Sequence, residues 1–482
     1  MSAFPFDGVT AILALPAATA ALLAFLPNYR ISAAINIASA FATLLAASSF
    51  VFVRPATGIN FVVDDLNIVF IVLNTFVAFT TSVFSASYIG HELETGRLTP
   101  RHLRFYHAMY QTLLFAMNLA LVANNIGLMW VAIEMATLTT VAMVGIYRTP
   151  EAIEAAWKYF ILGSVGIALA LFGTILVYMA ARPVVGEGVE GMVWTTLLAR
   201  APEFEPALLN LAFVFLMLGY GTKVGLAPLH AWLPDAHAEG PTPISAVLSG
   251  LLLNVALYAV LRFKLLLDAN PAAIAPGPLM ATLGIVSVIF AAFMLYRRRD
   301  VKRLFAFSSI EHMGIIVFAF GMGGPLANFA GLLHMTMHSL TKSAIFFTVG
   351  QIAQAKGTQR IADIRGLTVS HPALGWSLAL GVFAIAGLPP LGIFTSEFLV
   401  VTSTFARQPV LAVLLVFGLI LAFGALVLRL QGMAFGEPSP NGKPATASSL
   451  PVAAHLGLVL MAGIYLPPPM VAWFQHVAAL LR

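Results

Sequence analysis

Apolar runs of about 20 residues recur along the whole chain, separated by short polar stretches. At about 1.5 Å of rise per residue, a helix of that length crosses the roughly 30 Å hydrocarbon core of a bilayer. The pattern predicts about fourteen spanning helices: 8–27, 31–53, 66–88, 104–123, 126–147, 155–180, 207–230, 243–266, 274–296, 302–323, 326–354, 371–405, 409–431 and 450–475. Two of them are interrupted, the seventh by "GLAPLH" at 225–230 and the twelfth by "GLPPLG" at 387–392, because Gly and Pro spoil a helix interior. The breaks lie five spans apart, an odd offset, so the broken helices run in opposite directions. Inverted-topology repeats produce that arrangement. The expected organisation is therefore helices 1–3 over 1–103, a first repeat of helices 4–8 over 104–270, a second of helices 9–13 over 271–431, and helix 14 over 432–482. The connections 89–103, 181–206, 355–370 and 432–449 are too short for a soluble domain.

Composition agrees with an all-α polytopic membrane protein. Sixty per cent of the 482 residues are hydrophobic and 9% are charged, against roughly 25% charged in soluble domains. With no cysteine, the chain holds no disulfide, iron–sulfur cluster or thiolate metal site. "MSAFPFDGVT" has an acid and no basic n-region, so the first span is expected to be retained. The net charge of +5 calls for no nucleic acid, because membrane topology accounts for it. On the side that span 1 enters lie fifteen basic residues: Arg30, Arg97, Arg101, Arg104, Arg148, Arg297, Arg298, Arg299, Lys302, Arg303, Lys356, Arg360, Arg365, Arg429 and Lys443. The side of the termini holds seven: Arg54, Arg182, Arg200, Arg262, Lys264, Arg407 and Arg482. By the positive-inside rule, a multi-pass protein of the inner (plasma) membrane with both termini outside is expected.

Sorting the charges this way leaves Lys158, Lys223, Lys342, Glu134, Glu311 and Glu397 within spans, with His312, His334 and His338. A charge at the bilayer centre costs at least about 2.5–3.5 kcal/mol, and such residues mark ion or proton paths by default. Glu134 and Lys223 stand at similar depth in spans 5 and 7, where an ion pair suits both; a purely structural pair locking two helices is the plainer alternative. Burial disfavours an ammonium and a carboxylate restores it, so moving the carboxylate or nearby water toggles the lysine's proton. The helix break beside Lys223 frees carbonyls that can hold that water.

In span 11, His334, His338 and Lys342 fall at i, i+4 and i+8, a ladder along one helix face. Two histidines at that spacing can bind zinc, but no acid or third ligand stands near in sequence, so no metal is expected; satisfied core histidines are the plain alternative. Glu311 and His312 lie near mid-depth in span 10, and Glu397 follows the second break. Lys158, near the cytoplasmic end of span 6, reads as a snorkelling side chain or a relay. His230, Asp235 and His237 sit near the cytoplasmic mouth of span 7, suited to proton uptake or merely to solvent.

With these residues in place, "PLHAWLPDAHAEGPTPISAVLSG", Glu134 and Lys223 resemble the antiporter-like proton-channel subunits shared by respiratory complex I, membrane-bound hydrogenases and multi-subunit sodium/proton antiporters. "LLLNVALYAVLR" and "SSIEHMG" look most like the hydrogenase-4 component F branch. The resemblance spans roughly residues 60–430. It implies an input site at Glu134 and Lys223, a central relay, a span 11 polar ladder and an output half ending on Glu397. One position departs: span 8 carries Asn254 where the family usually has a lysine or histidine, so water, or Glu311 with His312, must bridge the gap.

The leading expectation is a proton-translocating subunit of a redox-driven complex, its partners being other membrane subunits and a peripheral redox arm. No flavin, nickel or quinone motif is present, so no cofactor and no catalytic redox residue is expected in this chain. A sodium/proton antiporter subunit is the alternative, though sodium needs oxygen-rich ligation. A non-conducting membrane scaffold is the third reading, and the ionisable groups at depth argue against it.

Overall fold

The computed structural model describes residues 7–439, 444 and 447–481. Lys443, Arg482 and residues 1–6 of the N-terminal segment lie outside the described residues. Helices α1 to α5 are Gly8–Phe25, Tyr29–Ser48, Asp65–Glu94, Pro100–Val122 and Ile126–Val144. Helices α6 to α10 are Pro150–Val185, Trp194–Arg200, Pro206–Val224, Leu233–Glu239 and Thr242–Val247. Helices α11 to α15 are Leu253–Asp268, Gly277–Leu295, Val301–Met322, Pro325–Lys356 and Leu367–Ser370. Helices α16 to α20 are Pro372–Ile385, Gly392–Arg407, Pro409–Ala434, Leu450–Ile464 and Pro468–Leu480. No strand longer than an isolated bridge occurs among the described residues.

The helix starts follow from local chemistry. Asn28, Thr99, Asn125, Thr149 and Asp300 each cap a helix through a side-chain oxygen, satisfying amides that have no partner within the helix. Proline opens α4, α6, α14, α16 and α18, where its missing N–H costs nothing.

Each expected span coincides with a helix or a broken pair, and among the described residues ten helices are long and apolar enough to cross a membrane, or eleven if α19 and α20 form one span. Helices α4 and α14 have the length but are too polar to be among them. Other helices cover most of their polar side chains, so neither needs an apolar lipid-facing surface. The expected straight span at 450–475 is instead bent by 81° between α19 and α20, at the proline run 467–469, which no helix can carry through.

The chain forms two compact units. One takes the described residues within Met1–Ser82, Gly96–Val224 and Leu251–Pro276. Here Asn36 with Gln111, and Asn74 with Asn118, hydrogen-bond at 2.8 Å between buried helix faces, the polar adhesive of helices without a hydrophobic driving force between them. Arg262, 3% exposed, pairs with Asp64 at 2.7 Å and lies 4.2 Å from the Trp194 ring. Burial pushes the Asp64 carboxyl up, but the guanidinium together with the Asn67 and Leu66 amides outweighs it and holds the group below its usual range.

The other unit takes the described residues within Val83–Thr95, Gly225–Gly250 and Gly277–Arg482. Its axis is α14, which packs against α10, α13, α16, α17, α19 and α20 and is buried along most of its length. Helices α12 and α13 meet through glycines: a Cβ on Gly284 would lie 2.7 Å from the Gly314 carbonyl oxygen, so the backbones themselves are in contact.

Candidate functional site

The first constellation lies within the first unit. Lys223 is the penultimate residue of α8, two positions before Gly225 breaks the helix with φ +82°. Its ammonium donates to Thr137 Oγ1 at 2.7 Å and lies 3.7 Å from Glu134 Oε2. The side chains are 2% and 19% exposed respectively, so the pair joins a buried ammonium to a carboxylate that is partly exposed in the isolated chain. The ring of Tyr159, whose hydroxyl is 2.8 Å from Thr140 Oγ1, lies 5.9 Å from Nζ. Room for the ammonium comes from Gly163, where a Cβ would stand 2.9 Å from Nζ. Asn254 is buried in this unit, 4% exposed.

A second constellation lies within the second unit, on α13, α14 and α17. His312 Nδ1 and His334 Nε2 are 2.9 Å apart, and Glu311 Oε2 is 3.9 Å from His312 Nε2. His334 Nδ1 meets Ser396 Oγ at 2.9 Å. The His338 ring stacks 5.5 Å from that of His312, and neither of its nitrogens has a hydrogen-bond partner among the described residues. Lys342 donates to the Phe305 carbonyl at 3.0 Å. His334, His338 and Lys342 all stand on α14, and the two histidines turn toward α13 and α17 rather than toward one another. Gly387, at φ +68°, opens the second break, and the Glu397 carboxylate lies against it so closely that a Cβ there would collide. Glu311 and Glu397 share the lining of a cavity of about 170 Å³ that is open on one side of the isolated chain and otherwise lined by apolar groups including Ile385, Leu419 and Phe423. That is room for several waters.

The proposed uptake residues also lie in the second unit. Asp235 and Glu239 both face Arg303, at 3.2 and 3.3 Å. His230 lies between the Phe290 and Phe307 rings. His237 is fully buried, stacked 4.8 Å from Phe346. Lys302, counted from sequence as a loop charge, is 1% exposed and donates to the carbonyls of Ala238 and Gly240. Glu92, also assigned to a loop from sequence, is 1% exposed and accepts from Gln354 Nε2 at 2.8 Å. Lys158 stays apart, paired with Glu154 at 2.6 Å on an exposed helix face. Sequence reasoning also missed Thr137, Tyr159, Gly163 and Ser396. These are uncharged, and only their spacing from Glu134, Lys223 and Glu397 could have pointed to them.

Residues 123–422, which hold both constellations, match the family described as NADH:quinone oxidoreductase/Mrp antiporter, transmembrane. The chain belongs to this family. A hydrogenase-4 component F homolog from Methylacidiphilum infernorum (isolate V4) is 61% identical over 99% of this chain and 98% of its own length. Among solved structures, a chain of the membrane-bound sulfane sulfur reductase, an archaeal respiratory membrane complex, superposes with TM-score 0.86 at 23% identity, covering 98% of this chain and 97% of that one. A chain of Thermus thermophilus respiratory complex I does so with TM-score 0.80 at 23% identity, covering 98% of this chain and 100% of that one. Both structures share the fold of this antiporter-family chain, a multi-pass membrane protein.

Proposed function

We propose that this chain is the proton-translocating membrane subunit of a redox-driven complex of the hydrogenase or complex I type, with the electron chemistry on other subunits. The observation that carries the reading is that each unit buries a base beside a carboxylate: Lys223 with Glu134 in one, His312 with Glu311 in the other. Each arrangement can hold a proton on either partner, and each adjoins a broken helix or a cavity with room for water. Protons are taken up near Asp235 and His237 and leave by way of Glu397. All fourteen helices or broken pairs cross the plasma membrane, with both termini outside.

Partner subunits follow from Glu134. It lies between Val131 and Leu138, 50% and 47% exposed, on an otherwise apolar face. A carboxylate at that depth is not left against lipid, and a neighbouring membrane subunit covers it.

The test is a double-mutant cycle in sealed vesicles, with assembly confirmed. Lys223→Ala and Glu134→Gln each lose at least ten-fold in proton translocation, and the double variant is little worse than either. Strictly additive losses would mean that the two groups act independently.

A further inference from the structure

We infer that His312, His334 and Glu397 form a binding site for a divalent zinc ion. One ligand atom from each lies within 4.8 Å of the others, and the three residues come from three helices, so no spacing along the chain could reveal the set. Tetrahedral zinc with bonds of about 2.0–2.2 Å places neighbouring ligand atoms about 3.3–3.5 Å apart. The widest pair must therefore close by about 1.5 Å, and the two ring nitrogens, now 2.9 Å apart, must open by about half an ångström.

The surroundings prepare the ligands. Ser396 donates its hydroxyl proton to the Ile393 carbonyl at 2.8 Å, so its oxygen accepts from His334 Nδ1–H at 2.9 Å. That bond fixes the tautomer and leaves the lone pair on His334 Nε2, the atom facing His312, an outer-shell device common at histidine-ligated metals. His312 then carries its proton on Nδ1. When zinc takes Nδ1, that proton passes to Nε2, which faces Glu311 Oε2 at 3.9 Å. Glu397 binds as the carboxylate and releases any proton it held. Water from the adjoining cavity fills the fourth position. The Glu311 and Glu397 charges offset the nearby Lys342. Two imidazoles with one carboxylate suit zinc; calcium and magnesium prefer oxygen alone.

Bound zinc replaces the hydrogen bond between the two rings and so blocks proton passage there. That consequence rests on the proposed function; the binding itself does not. The experiment titrates Zn²⁺ into the whole complex, purified from its native membrane and stripped with chelator, and records the zinc-edge absorption spectrum. The wild-type complex should bind one zinc more than either His334→Asn or Glu397→Gln, with two imidazoles at about 2.0–2.1 Å in its shell. Ser396→Ala keeps every ligand and should bind that zinc about 10–100-fold more weakly. Equal stoichiometry in wild type and variants, a shell without imidazole, or unchanged affinity in Ser396→Ala would overturn the site. Should a ligand variant fail to assemble, the wild-type spectrum and Ser396→Ala decide. Zinc binding as described with undiminished proton translocation would leave the site standing and remove the cluster from the proton path.

Discussion

Lys223 donates to a neutral hydroxyl at 2.7 Å while its counter-charge waits at 3.7 Å, beyond hydrogen-bond reach. A small approach or retreat of Glu134 therefore decides how firmly the ammonium is held. Gly163 is part of that arrangement, because the space a Cβ would fill is the space Nζ uses. Gly163→Ala should leave the protein assembled, since only the end of a flexible side chain must move, yet lower proton translocation several-fold by shifting Nζ from Thr137 and Glu134. Gly163→Val should be worse. Vesicle assays on the pair check this, and full activity in both would show that the lysine's position is immaterial. The charged members of both constellations were legible in the sequence because a charge among apolar residues stands out. Thr137, Ser396 and Gly163 were not, because small uncharged residues are ordinary in membrane helices. Lys302 was misread for a related reason: "RRRDVKR" looks like a solvated loop, while the fold tucks one of its cations under the end of α9.

Helix breaks are the elements that set these side chains. Gly225 and Gly387 both adopt positive φ, +82° and +68°, and each is followed by leucine and then proline within three residues. The repeat of that chemistry was visible in the sequence, whereas the helix starts at Thr-Pro 99–100 and 149–150 lie about a turn before the expected ones at 104 and 155. The polarity of α4 and α14 is what composition could not interpret, since a helix sheathed by others need not look apolar. Gly387→Ala tests the second break. A left-handed alanine costs about 1–2 kcal/mol, and here its Cβ also strikes the Glu397 carboxylate. The variant should assemble in reduced amount and unfold at lower temperature, with translocation lost beyond the loss of protein. Wild-type yield and melting temperature would mean that the break relaxes freely.

For the whole molecule, topology and direction of transport stand together. The surplus of basic residues on one side is the ground for the proposed orientation, with both termini outside and "RRRDVKR" inside. Reporter fusions at positions 300 and 190 should therefore report cytoplasmic and external locations respectively; the reverse pair would invert the proposed direction of proton movement. Function at this scale needs a path through the second unit, and Glu311 is the acid that faces both the His312 ring and the cavity shared with Glu397. The most direct measurement is proton translocation in sealed vesicles carrying Glu311→Gln, with subunit assembly and electron transfer measured in the same preparation. The account predicts an assembled complex that still transfers electrons while its proton translocation falls at least ten-fold. Normal translocation by that assembled variant would contradict it.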